Sequence, residues 1–157
     1  MVAEVKIEGF DELAKKLREL VPAMRKRVIR NALSAGARLV RDDAKRNAPV
    51  LSASAKAPYR QPGTLKKAIR VRSSKQARRA SDIGVFVNVK PAKSGLRGAK
   101  SNSDPFYWRF LEFGTRKMSA RSFLRPAAEK LDDALAIFQT QVGRWIEKVN
   151  ATGKVTP

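Results

Sequence analysis

Ala3, Val5 and Ile7 alternate with Glu4, Lys6 and Glu8, the period-two pattern of a half-buried strand, and Gly9 ends it. Asp11 is placed to cap a helix, in which Leu13, Leu17 and Leu20 recur at helical spacing. Pro22 marks either a kink or the first turn of a second helix, where proline is tolerated. From Pro22 to Asn47 one apolar stripe persists through Met24, Val28, Ala32, Ala35, Leu39 and Val40. At 1.5 Å per residue such a helix spans on the order of 39 Å. Ala32, Ala35, Gly36 and Ala37 make part of its face small, which predicts close packing against a sheet or another helix.

Asn47-Ala48-Pro49 stops that helix, and an exposed loop rich in Ala and Ser, bracketed by Pro49, Pro58, Pro62 and Gly63, is expected over 50–63. Thr64 is placed to cap a short turn holding Leu65. Ile69 and Val71 alternate with Arg70 and Arg72, and Ile83, Val85, Val87 and Val89 alternate with Gly84, Phe86 and Asn88. These read as two neighbouring antiparallel strands with Arg78 and Arg79 near their connection. Residues 90–104 have almost no apolar content and form a second loop, expected to gain order on assembly. Pro105 to Phe113 reads as a short aromatic helix. Pro126 to Val149 reads as an amphipathic one, with Leu131, Leu135, Phe138, Val142, Trp145, Ile146 and Val149 as its stripe. The order predicts an α+β fold: a small antiparallel sheet of three or four strands, with a long helix from the N-terminal half and a C-terminal helix packed on it, plus extended basic loops. A single domain over 1–149 and a flexible tail over 150–157 are expected.

Composition narrows the chemistry. At 157 residues and 43% hydrophobic content the chain is long enough for one cored domain. Cysteine and histidine are both absent, which removes disulfides, thiol nucleophiles, the usual zinc sites and the side chain that titrates nearest neutrality. No stretch has the length and apolarity of a signal peptide or a membrane span. No cofactor, metal site or enzymatic activity is expected.

The charge of +20 speaks about partners. Residues 1–20 carry 4 basic and 5 acidic side chains and residues 126–157 carry 4 and 4, so the excess lies between them. Arg25, Lys26, Arg27 and Arg30 crowd the start of the long helix, where cations oppose the macrodipole, so local helix stability does not account for them. A solvated face, a surface matching an acidic protein and a surface facing nucleic acid phosphate all fit. No helix-turn-helix, zinc-finger or aromatic RNA-binding pattern accompanies the cations, so any nucleic acid contact would be to backbone.

Two motifs fail on spacing. Gly95 to Ser101 lacks the four residues between glycines that a phosphate-binding loop needs, and Gly114-Thr115-Arg116-Lys117 lacks the upstream glycine. Glu112, among Trp108, Phe110 and Phe113, has no second carboxylate to complete an acid–base pair. Arg109, Arg116 and Arg121 lie near enough in sequence to predict a structural ion pair instead.

Tyr107-Trp108-Arg109-Phe110-Leu111-Glu112-Phe113-Gly114-Thr115, followed by Ser122-Phe123-Leu124-Arg125-Pro126-Ala127, resembles the signature of HK97-type bacteriophage neck and tail-completion proteins. Gly9-Phe10, the Ala-rich helix closing on Ala44 to Pro49, Gly63-Thr64-Leu65 and Ile69 agree with it. The resemblance covers nearly the whole chain. The stretch from Val50 to Pro62 looks longer than is usual in that family, and Ser122 stands where a proline often precedes the phenylalanine. Both departures bear on local loop geometry.

The resemblance implies a virion structural protein at the neck or top of the tail, present in the host cytoplasm during assembly. It implies a homo-oligomeric ring, six-fold or twelve-fold, around the DNA channel, with connector or stopper and tail-tube or terminator proteins as neighbours. Tyr107, Trp108, Glu112, Phe113, Gly114, Thr115, Phe123, Arg125 and Pro126 are then the fold-defining or subunit-interface positions. Arg70, Arg72, Lys75, Arg78, Arg79, Lys93, Arg97 and Lys100 are the candidates to face DNA or a partner. The competing reading is a stand-alone basic protein that coats nucleic acid without sequence choice.

Overall fold

A computed structural model of the chain describes residues 10–18, 20, 22–50, 61–91 and 98–152. The expected strand over residues 3–8 lies outside them. Helix α1 (Phe10–Arg18) begins one residue before Asp11, which is therefore inside the helix and not its cap. Helix α2 runs Pro22–Asn47, so Pro22 opens a new helix, as its tolerance for a first turn allows. Arg25 explains part of the basic cluster there. Its guanidinium donates to the carbonyls of Arg18 (2.7 Å) and Leu20 (3.1 Å), satisfying acceptors at and just beyond the end of α1.

Helix α3 (Thr64–Ala68) leads directly into strand β1 (Ile69–Ser73). Its cap position is Gly63, at φ 76°, and Thr64 is the first helical residue; the Thr64 hydroxyl donates to Gln61 O at 2.7 Å. Strand β2 (Val85–Val89) pairs antiparallel with β1 in the register Ile69 to Val89, Arg70 to Asn88 and Val71 to Val87. Among the described residues the sheet has these two strands, fewer than expected. Their connection contains helix α4 (Lys75–Arg79), capped by Ser74, whose hydroxyl accepts from Ala77 N at 3.1 Å.

Residues 98–104 make local hydrogen bonds within the chain, in the segment where the sequence predicts a loop that gains order on assembly. A 3-10 turn over Gly98–Lys100 precedes buried Ser101 and Asp104. The Asp104 carboxylate accepts from Gly98 N at 2.9 Å, and the Ser101 hydroxyl accepts from Asp104 N at 3.1 Å. These side chains supply the acceptors that a short polar segment lacks.

Helix α5 is Trp108–Phe113. The single helix expected over 126–149 is two, α6 (Leu124–Ala128) and α7 (Leu131–Thr152). Hydrogen bonds spanning three residues, from Glu129 N to Pro126 O and from Lys130 N to Ala127 O, tighten the end of α6, and α7 restarts beyond them. The break turns α7 so that Ala134, Phe138, Val142, Ile146 and Val149 are buried, while Leu131, expected in the stripe, is 57% exposed.

Two apolar clusters divide the α+β fold. Leu20, Val28, Ala32, Phe138, Val142, Ile146 and Val149 unite α2 with α7, and Leu13 and Leu17 of α1 pack against them. Ala44, Ala48, Leu65, Ile69, Val89, Phe123 and Ala127 unite the end of α2 with the sheet and α6. Between them Gly36 meets α7 so closely that a Cβ there would lie 2.5 Å from Ala134 O. The small face of α2 thus exists for helix contact. A fully buried phenylalanine such as Phe123 contributes about 1.5–3 kcal/mol of apolar burial.

Candidate interaction surfaces

The segment from Tyr107 to Pro126 is organised by Glu112. Helix α6 has Phe123 at its cap position, so the capping side chain cannot accept the first helical N–H groups. Glu112, buried on α5, fills that role. Its Oε2 accepts from Phe123 N (2.9 Å) and Leu124 N (3.0 Å), and its Oε1 from Arg125 N (3.1 Å). A carboxylate at a helix N-terminus is favoured by the helix dipole as well as by these bonds.

The expected ion pair with Arg109, Arg116 or Arg121 is therefore replaced by backbone amides. Arg109 lies over the Trp108 ring at 5.4 Å, and Arg116 and Arg121 are exposed. With both oxygens engaged, Glu112 acts as a structural clamp. Arg121 N donating to Leu111 O (2.7 Å) and the Ser122 hydroxyl donating to Glu112 O (2.8 Å) complete the junction.

Gly114 makes the intervening turn possible. Its φ of 76° lies where L side chains are strained, and a Cβ would sit 3.0 Å from both Ala120 N and Met118 O. Thr115 then exchanges backbone hydrogen bonds with Met118, projecting a tight exposed turn. Tyr107 and Trp108 pack, half-buried, on the cluster holding Phe123. Pro126 is in the first turn of α6, and the Arg125 side chain is exposed.

Phe113 does not enter the core. It is 71% exposed, and Phe110, three residues earlier on the same face of α5, is 48% exposed. Phe106 meets Phe110 edge-to-face at 6.3 Å, and Met118 in the following turn is 39% exposed. Arg109, Arg116, Lys117 and Arg121, near these residues in sequence, are exposed cations.

Arg70 and Arg72 project from β1 with exposed side chains, and Lys75, Arg78 and Arg79 are exposed on α4. These five of the expected basic positions are all exposed and follow one another along β1 and α4, a basic ridge in chain order. Lys93 and Arg97 lie outside the described residues, as does the Lys100 side chain. The ridge adjoins a groove of about 410 Å³ lined by Ser34, Arg38, Arg41, Lys45, Lys67 and Arg70. The sequence reading does not anticipate this groove, although Ser34, Arg38, Arg41 and Lys45 recur at helical spacing on α2. Asp42 tempers it: its carboxylate binds the Arg41 guanidinium at 2.8 and 2.9 Å, which raises the Arg41 pKa and lowers that of Asp42, the hydrogen bond being the main cause of each shift.

A second groove, of about 430 Å³, is apolar. It opens where α2 passes between the two clusters and is lined by Leu33, Ala37, Val40, Val87, Leu131 and Leu135 among others. Glu129, Asp132 and Asp133, at or next to the α6–α7 break, are exposed, with Lys130 paired to Asp133 at 3.4 Å. Among the described residues, no group of three or more His, Cys, Asp or Glu is placed to hold a metal, and no helix is long and apolar enough to cross a membrane.

The family model described as "Bacteriophage HK97-gp10, putative tail-component" matches residues 11–114, about two thirds of the chain. No curated protein and no solved structure matches the chain.

Proposed function

The chain belongs to the HK97-gp10-like family of bacteriophage tail components, and from that premise we propose that it is a ring-forming subunit that completes the tail and joins it to the head connector around the DNA channel. The observation that carries the finer reading is the ridge and groove of cations meeting at Arg70. Several copies of such a surface around a bore would present phosphate with contacts that neither select sequence nor hold it in register. That suits a conduit through which DNA must slide. No step of bond-making is assigned to the chain; Glu112, its best-placed buried acid, is occupied in holding α6.

Electron microscopy of purified phage particles, with an antibody to this chain, tests the reading. Label at the junction of head and tail is the expected result. Recovery of the chain only with free nucleic acid, and never in particles, would replace it with the stand-alone nucleic-acid-coating protein.

A further inference from the structure

We propose that the cationic groove beside the outer edge of β1 takes an extended, acidic segment of a neighbouring protein, which adds to the sheet as a strand. The inference rests on the ring reading for the neighbour; its chemistry comes from the groove. Ile69, Arg70 and Val71 all line that groove, and successive side chains of a strand point to opposite faces, so a groove touching all three meets β1 at its edge. Lys90 N donates to Ala68 O and Ser74 N to Gly84 O, which fixes the alternation of the ladder. Arg70 and Arg72 turn their main chains to β2, and Ile69 and Val71 turn theirs outward. The Ile69 N–H is taken by Leu65 O. The Ile69 C=O and both main-chain groups of Val71 face the side of β1 where no described strand lies.

An open strand edge recruits another extended chain, because its N–H and C=O groups alternate and a second backbone answers both. Phosphate oxygens accept hydrogen bonds without donating, so a nucleic acid backbone leaves the carbonyls unanswered. A concavity of about 410 Å³ suits one strand, laid about 4.8 Å from β1, better than the convex surface of a duplex.

Charge chooses the side chains of that strand. Arg38, Arg41 and Lys45 of α2, Lys67 of α3 and Arg70 of β1 line the groove, and no carboxylate does. Of these cations, Arg41 alone has a carboxylate partner among the described residues, Asp42 at 2.8 Å. Asp or Glu at alternate positions of a strand directs a row of carboxylates to one face, where a row of cations can meet it. The chain holds no such segment among its described residues: its acids there lie in or next to helices, except Asp82 and Asp104, and Asp104 accepts from Gly98 N. In the strand expected over residues 3–8, Lys6 separates Glu4 from Glu8 on their shared face. The occupant is therefore a different polypeptide.

Fluorescence anisotropy of a labelled octapeptide alternating Glu and Thr, titrated with the full-length chain, tests this. Two further versions carry N-methyl groups, one on every Glu and the other on every Thr. In an added strand only one of these sets of amides faces β1, so the two versions are expected to differ in affinity by about ten-fold. This comparison leaves the protein unaltered. Arg38→Glu with Lys45→Glu should weaken the unmethylated peptide by about ten-fold or more. Arg144→Glu with Lys148→Glu, the same change of charge at exposed positions of α7, should leave it nearly unchanged. Circular dichroism establishes that each variant is folded. Equal binding of the two methylated versions overturns the strand, and equal loss from both pairs of substitutions overturns the groove. No binding of the peptide overturns the proposal; if Arg38→Glu with Lys45→Glu then weakens binding to duplex DNA, the groove belongs to nucleic acid. A peptide of residues 2–9 that binds more tightly than the Glu–Thr peptide overturns it in favour of this chain's own segment. If the peptide behaves as expected but the chain is absent from phage particles, the contact stands and the ring reading falls.

Discussion

The backbone N–H of Phe123 donates to Oε2 of Glu112 at 2.9 Å, across eleven positions of sequence, and both residues are buried. That bond ties the short aromatic helix to the start of α6. It converts the buried carboxylate of the aromatic helix into the cap that α6 lacks.

Glu112→Gln should therefore destabilise the fold. An amide keeps one acceptor oxygen and turns a donor toward a backbone N–H that already donates. The cost of leaving such a buried donor unpaired is about 1–3 kcal/mol, or roughly 2–12 °C in Tm for a chain of this length. Thermal unfolding followed by circular dichroism checks it; an unchanged Tm would show that the clamp is dispensable.

Gly114→Ala should cost about 1–3 kcal/mol, because the turn uses a backbone conformation that favours glycine. The added Cβ also meets Ala120 N and Met118 O at 3.0 Å, both main-chain atoms. Urea denaturation with an unchanged slope and an earlier midpoint is the expected outcome.

Gly36→Ala tests the close approach of α2 and α7. Its Cβ would lie 2.5 Å from Ala134 O, so the helices must separate, at about 1–3 kcal/mol for overpacking. Gly143→Ala on α7, where a Cβ meets nothing within 4 Å, is the control and should be neutral or slightly stabilising by about 0.5–1 kcal/mol.

Replacing Arg70, Arg72, Arg78 and Arg79 by Gln should weaken binding to duplex DNA equally for all sequences and flatten its salt dependence. Every cation that no longer neutralises a phosphate lowers the steepness of log K against log salt by about 0.9. Fluorescence anisotropy at several salt concentrations reads this; an unaltered slope would place the ridge away from DNA.

Asp42 gives a small acid-side dependence. Its pKa is lowered in the folded chain, chiefly by the Arg41 hydrogen bond, so its contribution is present above its unfolded pKa of about 3.9 and fades as pH falls through the lower folded value. The pair is partly exposed and solvent-screened, so the contribution is at most about 1 kcal/mol. The stability difference between the unaltered chain and Asp42→Asn should be measurable at pH 6 and shrink toward pH 2.

The helix over Pro22–Asn47, the β1 and β2 strands, the burial of Phe123 and the glycine turn at 114 were all legible in the residues. Each depends on local periodicity or on one residue's backbone freedom. The break at 129–130 was not legible, because the apolar stripe continues past it; before it Ala127 joins the cluster of Phe123, and beyond it Phe138 and Val142 join the other. The local bonding of residues 98–104 was hidden for a similar reason. Their polar content pointed to a solvated loop, and the serine and aspartate bonds that fix them are made by geometry.

Sequence alone determined the α+β class, the small face of α2, the absence of thiol and imidazole chemistry and the placing of positive charge in the middle of the chain. Tertiary structure decided that Glu112 meets backbone amides and no arginine, that Phe113 faces outward, and that residues from α2, the sheet, α6 and α7 enclose an apolar groove. Periodicity reports which side of an element avoids water. It carries no information about which unsatisfied N–H groups or concave surfaces arrive from distant parts of the chain, and those set the site.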